Sequence, residues 1–265
     1  MDGCLPADTP NAMIRDLRTI LDGWGFEQGK VSVRKIIGRD GREKIQTRID
    51  LGVLQLECTG RPDGARPCGC ESLLAYHERR LQEHIEIYGD DEDFVLSPED
   101  CRDLRHEAYL YYQRFLSLYV LEEYEGVVED TVRNLRVIDL SDRYAATERD
   151  RAMLAPQRAY VMMMHTRAMA QLALGRDSAE TALRAIEAGV AELESRVGDE
   201  EEGDPYLDEA RTLRELRVEI LEALPEDSPI RLRSELEAAI ACEDYERAAE
   251  LRDRLASQRN CTSGV

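Results

Sequence analysis

A mainly α-helical fold of antiparallel helix pairs, with a small N-terminal α+β part that carries a β-hairpin and a helical hairpin at the C-terminal end, is predicted by three observations. From Ser97 to Val197 apolar residues recur at helical spacing. Between Val31 and Leu56 the pattern switches to period two around an Asp-Gly turn. After Pro225 and Pro229, a charged, alanine-rich helix pair runs from Ile230 to Leu255. The composition agrees: 43% hydrophobic and 34% charged residues in a 265-residue chain suit a folded protein with a large polar surface.

Residues 11–22 place Met13, Leu17, Ile20 and Leu21 on one helical face, and Gly23 offers a stop. Two strands follow, 31–37 and 44–56, joined through Arg39, Asp40 and Gly41, where Asp-Gly supplies the positive φ of a tight turn. Along the second strand Ile45, Thr47, Ile49, Leu51 and Val53 share a face expected to be buried. Lys44, Gln46, Arg48 and Asp50 share one expected to be wet. Between Lys30 and Arg48 seven basic residues stand against two acids, a local +5 in a chain of −20. Arg34, Lys44 and Arg48 are therefore candidates for phosphate contact. The ribbon lacks interleaved aromatics for stacking on bases, which favours a solvated face or one that meets the protein's own acidic surface.

The Gly/Pro-rich residues 59–69 read as a connection into a helix from Glu71 to Tyr88 rather than as a shaped binding surface. Cys58, Cys68 and Cys70 lie near His77, but C-x9-C-x-C matches no paired zinc-knuckle spacing, so no metal is expected. His77 and His84, two turns apart, are expected at the surface. Residues 90–93 read as an acidic linker. Ser97, Pro98, Glu99 and Asp100 form a helix start, with an N-cap serine, proline at the first helical position and acids in the first turn.

Four stripes follow: Ala108, Tyr112, Phe115 and Tyr119; Tyr124, Val127, Val128, Leu135 and Ile138; Ala159, Met162, Met163, Thr166, Met169 and Ala173; Ala182, Ile186, Val190, Leu193 and Val197. Four amphipathic helices in antiparallel pairs are the simplest solution. The pairs are similar to tetratricopeptide-type hairpins, with residues 121–124 and 174–177 in corresponding places. The interval from 121 to 174 is longer than the roughly 34 residues of that repeat, and its signature Trp and Pro positions are not in register. Residues 162–164, three methionines, read as core filling rather than an adaptable binding surface. The acidic run at 199–204 lacks the alternating ligands of a calcium loop and reads as a linker. A helix over 206–224 then leads to a proline corner.

In the last stretch Leu232, Leu236, Ala239 and Ile240 form one helical stripe, and Ala248, Leu251 and Leu255 form the next after a break at residues 242–244. Asp244 suits the N-cap of the second helix and Tyr245 starts its stripe. Glu243/Arg247 and Glu250/Arg254 are spaced i,i+4 with the acid first, and Ala239, Ala248 and Ala249 permit close approach. Leu-x3-Leu-x3-Ile followed by Glu-Asp-Tyr-Glu-Arg-Ala-Ala-x-Leu-Arg-Asp-x-Leu resembles the UVR (UvrB/UvrC) motif. In the excision-repair B and C subunits that hairpin docks one subunit to the other. Similar hairpins occur in a bacterial arginine-kinase activator and in Clp chaperone–protease components and adaptors. The resemblance implies protein–protein contact and no catalysis. Its contact residues would be Leu232, Leu236, Ile240, Tyr245, Ala248, Leu251 and Leu255, and its partner a UVR-containing repair subunit, a Clp-type component or a second copy.

The charge of −20 and pI near 4.7 argue against general affinity for nucleic acid or anionic membrane. No run of eighteen apolar residues is present, and the N-terminus has no basic, apolar signal pattern. Seven irregularly spaced cysteines suit free thiols in a reducing cytoplasm. No Gly-x-Ser-x-Gly, phosphate-binding glycine loop or His-Glu-x-x-His occurs. The reading is therefore a cytoplasmic, non-catalytic adaptor without metal or cofactor. Its parts are an α+β domain over 1–89, a helical domain over 97–197, a linker over 198–205, a helix over 206–224 and the hairpin over 229–259. The alternative is an accessory factor of excision repair that also touches nucleic acid through Arg34, Lys44 and Arg48.

Overall fold

The structure is a computed structural model that describes residues 17–198 and 203–262, the last five of these by backbone alone. Met13 and the acidic residues 199–202 lie outside the described residues. A short helix α1 (Arg18–Leu21) precedes three strands, β1 (Ser32–Ile37), β2 (Glu43–Ile49) and β3 (Gly52–Glu57). Helices then follow as α2 (Leu73–Tyr88), α3 (Pro98–Val120), α4 (Tyr124–Tyr144), α5 (Glu148–Ala152), α6 (Ala155–Leu174), α7 (Ala179–Glu194), α8 (Pro205–Ala223), α9 (Pro229–Ala241) and α10 (Tyr245–Thr262).

The strands form an antiparallel meander in the order β1-β2-β3. The expected turn is present, with the Gly38 N–H bonded to the Arg42 carbonyl at 2.8 Å and Gly41 at φ 77. The second expected strand is in fact two. It folds back at Asp50 and Leu51, where Ile49 pairs with Gly52 and the Arg48 guanidinium donates to the carbonyls of Ile49, Asp50 and Gly52. One cation satisfying three turn carbonyls makes this tight corner favourable, and it leaves Leu51 at the tip, exposed.

The face expected to be wet is also covered. Lys44 and Gln46 are buried, and a side-chain ladder crosses the sheet from Arg34 Nε to Gln46 Oε1 (2.9 Å) and from Gln46 Nε2 to Gln55 Oε1 (3.0 Å). Trp24 stacks on the Arg34 guanidinium, 4.0 Å from ring centroid to Cζ. Trp24 also donates to Ser32 Oγ at 2.7 Å. The opposite face, with Val33, Ile45 and Leu56, packs into the same apolar cluster as Phe115, Leu118 and Val127 of α3 and α4. Thr47 and Ser117 hydroxyls meet across it at 2.7 Å. Sheet and helices thus share one core.

α3 begins as its sequence requires. Ser97 Oγ accepts the Asp100 N–H at 3.1 Å, and Asp100 accepts the Ser97 N–H at 3.0 Å, a capping box with Pro98 at the first turn. From there α3 packs on α4, α4 on α6, α6 on α7, and α8 on both α6 and α7. Two glycines set the spacing. A Cβ on Gly126 would stand 2.8 Å from Leu118, and one on Gly189 2.4 Å from Thr166, so α3–α4 and α6–α7 approach closely. Met163 and Met164 are buried, as core filling requires. α5, between α4 and α6, has no counterpart in the apolar stripes; Thr147 caps it, accepting the Asp150 N–H at 3.1 Å. His77, expected at the surface, is 2% exposed, because α2 lies on α3 with that face inward.

Three helix–helix turns have one design. Glu122, Asp177 and Glu243 sit at φ 61, 55 and 58. Each donates its N–H to a carbonyl three residues back, and the next residue donates to one five residues back, at 2.9 Å (Glu123 to Leu118), 3.0 Å (Ser178 to Ala173) and 2.9 Å (Asp244 to Ala239). This is the Schellman closure, here without its usual glycine.

Candidate docking hairpin

α9 and α10 close on a small core of their own. Leu232 and Leu251 are fully buried, Ala239 and Ala248 nearly so, and Leu236 and Leu255 pack partly against them. The alanines let the backbones approach, and no residue of the body's cores belongs to this cluster. Asp244 caps α10 as expected, accepting the Arg247 N–H at 3.0 Å. The ion pairs differ from the i,i+4 expectation: Arg247 reaches across to Glu235 of α9 (3.5 Å) and to Glu250 (3.1 Å). Arg254 turns instead to the Glu226 carbonyl at 3.3 Å.

The seven expected contact residues therefore divide. Leu232, Ala248 and Leu251 hold the hairpin together, and Leu236 and Leu255 line its seam. Ile240 is 53% and Tyr245 69% exposed, so these two stand outside the stripes to which the sequence assigned them. The hairpin meets the body through few groups. Arg231 donates to the Leu224 carbonyl at 3.2 Å, Arg217 to Ser234 Oγ at 3.2 Å, and Ile230 packs against the body's core.

The basic ribbon is engaged within the molecule. Lys44 pairs with Asp40 (2.8 Å) and with Glu57, Lys35 with Glu123 at 2.5 Å, and Arg42 with Asp40 at 2.9 Å. Arg34 lies under Trp24 and donates to the Ile20 carbonyl, and Arg48 holds the turn. The hydrogen bonds from Lys44 and Arg42 hold the Asp40 carboxyl well below the usual carboxylate range. The thiols of Cys58, Cys68 and Cys70 are free, and burial pushes that of Cys58 up. Among the described residues no group of three or more His, Cys, Asp or Glu side chains could hold a metal ion. Nor is any helix among them long and apolar enough to cross a membrane.

Sequence reasoning did not find a buried ionic centre between α3 and α4. Arg114 pairs bidentately with Asp130 (2.7 and 2.8 Å) and also donates to the carbonyls of Gly60 (2.7 Å) and Glu57 (3.2 Å). Glu107, fully buried, accepts from Arg133 and from the N–H groups of Leu73 (2.8 Å) and Leu74 (3.1 Å). Its carboxylate thereby closes the positive end of α2. Tyr111 lies between the two guanidiniums, with Cζ of Arg133 at 3.6 Å and of Arg114 at 4.9 Å from the ring centroid. The available signal was charge at core spacing: Glu107, Tyr111 and Arg114 recur at i, i+4 and i+7 beside apolar Ala108 and Phe115.

No curated protein and no solved structure matches the chain. The family described as UvrB/uvrC motif (UVR) matches residues 230–259. Those residues make up the exposed α9–α10 pair, and the chain therefore carries a UVR motif at its C-terminal hairpin.

Proposed function

We propose that this chain is a non-catalytic cytoplasmic adaptor whose UVR hairpin docks another protein, either a UVR-containing repair subunit, a Clp-type component or a second copy of itself. The observation that carries the reading is the motif match on a hairpin with a separate core, attached to the body by few contacts, that leaves Ile240 and Tyr245 uncovered. Charge supports it. Residues 229–259 hold six arginines against seven acids, −1 in a chain of −20, so an approaching partner meets an almost neutral surface.

The test compares wild type with Ile240→Asp/Tyr245→Asp, whose sites are exposed and whose folding is expected to be unchanged. Light scattering reads self-association, and capture from native extract with mass spectrometry reads a repair subunit or Clp component. Loss of either in the double variant supports the adaptor. Equal association and equal captures from both proteins refute it. Nucleic-acid contact through Arg34, Lys44 and Arg48 has no supporting geometry, because all three are engaged internally.

A further inference from the structure

The Gly/Pro-rich loop that follows β3 builds a second, separate feature. We propose that the cleft over residues 57–71 binds a small oxyanion ligand, a phosphate or carboxylate, that also carries an amine or hydroxyl donor. The cleft is about 480 Å³ and is lined by Arg42, Glu57, Thr59, Arg61, Arg66 and Glu71, with Gly60 and Gly64 in its floor.

The loop around the cleft is held rigidly. Arg114, itself fixed by Asp130, holds the Glu57 and Gly60 carbonyls, and the Glu57 N–H bonds to the Pro62 carbonyl at 2.8 Å. Gly60 and Gly64 take φ 68 and 73, which other residues adopt only with strain. Buried charges are costly, and a loop held by them is pre-organised in the way binding sites require.

The cleft is also rich in cations. Three arginines converge in a chain of −20, against two glutamates. One of these, Glu57, is already matched by Lys44. The Arg61 side chain is only 10% exposed, its Nη1 3.4 Å from buried Glu107. Its Nε lies 3.1 Å from Asp63 but out of line for a hydrogen bond, so this buried N–H has no acceptor. Arg66 makes no hydrogen bond or ion pair among the described residues, whereas the neighbouring cations Arg42 and Lys44 are paired. A guanidinium fork in the state of Arg66 selects planar or tetrahedral oxyanions.

Charge of the opposite sign lies beside these arginines. Glu71 likewise makes no hydrogen bond or ion pair among the described residues, with Arg66 included; its Oε1 lies 4.0 Å from where a Gly60 Cβ would stand. Glu71 weakens the binding of a bare anion to Arg66 without abolishing it. A ligand that also offers an ammonium or hydroxyl to Glu71 and Thr59 matches both signs.

Isothermal titration of the full chain with inorganic phosphate, malonate and O-phosphoserine tests this. Saturable binding is expected, tightest for O-phosphoserine, and phosphate against malonate distinguishes the two oxyanions. Arg66→Ala should weaken every probe by about tenfold or more, the value of one charge-assisted hydrogen bond. Glu71→Gln should weaken O-phosphoserine alone. Both substitutions remove unpartnered groups, so thermal melts should match wild type. Absence of saturable heat from all three probes, or unchanged affinity in Arg66→Ala, overturns the site. An unchanged O-phosphoserine affinity in Glu71→Gln overturns the donor half of the assignment.

Discussion

At His77 the Arg80 guanidinium donates to Nδ1 at 3.0 Å, which requires the imidazole to be neutral there. Burial pushes its pKa down, with Asp100 opposing, and burial does the same to His165. The unfolded chain takes up these protons near the ordinary value of about 6.5, while the folded chain resists until lower pH. Their contribution is therefore fully present above that value and lost as pH falls below it. Urea midpoints should drop between about pH 7 and 5.5, and His77→Gln should flatten that slope; an unchanged slope would remove His77 from the account. The Arg114–Asp130 pair makes a larger claim. Burial pushes the Asp130 carboxyl up, and Arg114 is the main group opposing it. Arg114→Met should cost about 3–5 kcal/mol in chemical denaturation, and adding Asp130→Leu should recover much of it. Neither site follows from the apolar stripes, and only charge at core spacing marks the second. A histidine's exposure depends on which neighbour covers its helix face, and Lys44 and Gln46 read as wet for the same reason. Only the fold brings Trp24 over Arg34.

Among the elements, the UVR hairpin was the most legible, since its stripes, cap and break are all local. Local pattern did not settle which stripe residues face inward, and Ile240 and Tyr245 turned outward. Leu251→Asp should accordingly unfold the hairpin, costing about 3 kcal/mol or more, as read by lost amide protection over 229–257. Ile240→Asp should leave that protection intact. The Schellman turns allow an opposite test. Glu243 occupies a left-handed position that glycine takes without a Cβ penalty. Glu243→Gly should stabilise the hairpin by about 1 kcal/mol in hydrogen exchange; a loss would show that the Glu243 side chain contributes more than its backbone strain costs. The β2–β3 corner was missed because period-two alternation runs through it. The length of the segment, beyond the usual 5–6 residues of a strand, was the overlooked sign.

For the whole molecule, the helical class and its antiparallel pairs could be read, but the joining of sheet to helices could not. It rests on Ile45 and Leu56 entering the core of α3 and α4 and on Arg114 reaching the loop, contacts between residues far apart in sequence. The hairpin, by contrast, has a core apart from the body's. A chain ending at Leu224 should keep the melting temperature of the body, and calorimetry of the full chain should show the hairpin as a separate, lower transition; a single cooperative peak would count against that. The near-neutral hairpin on so acidic a body also governs how fast partners meet. Two copies repel each other once they approach within a Debye length, about 8 Å at physiological ionic strength. Added salt should then speed self-association with little effect on dissociation, whereas for a basic partner salt should slow capture. The sign of that dependence, read by stopped flow, tells which kind of partner the hairpin has met.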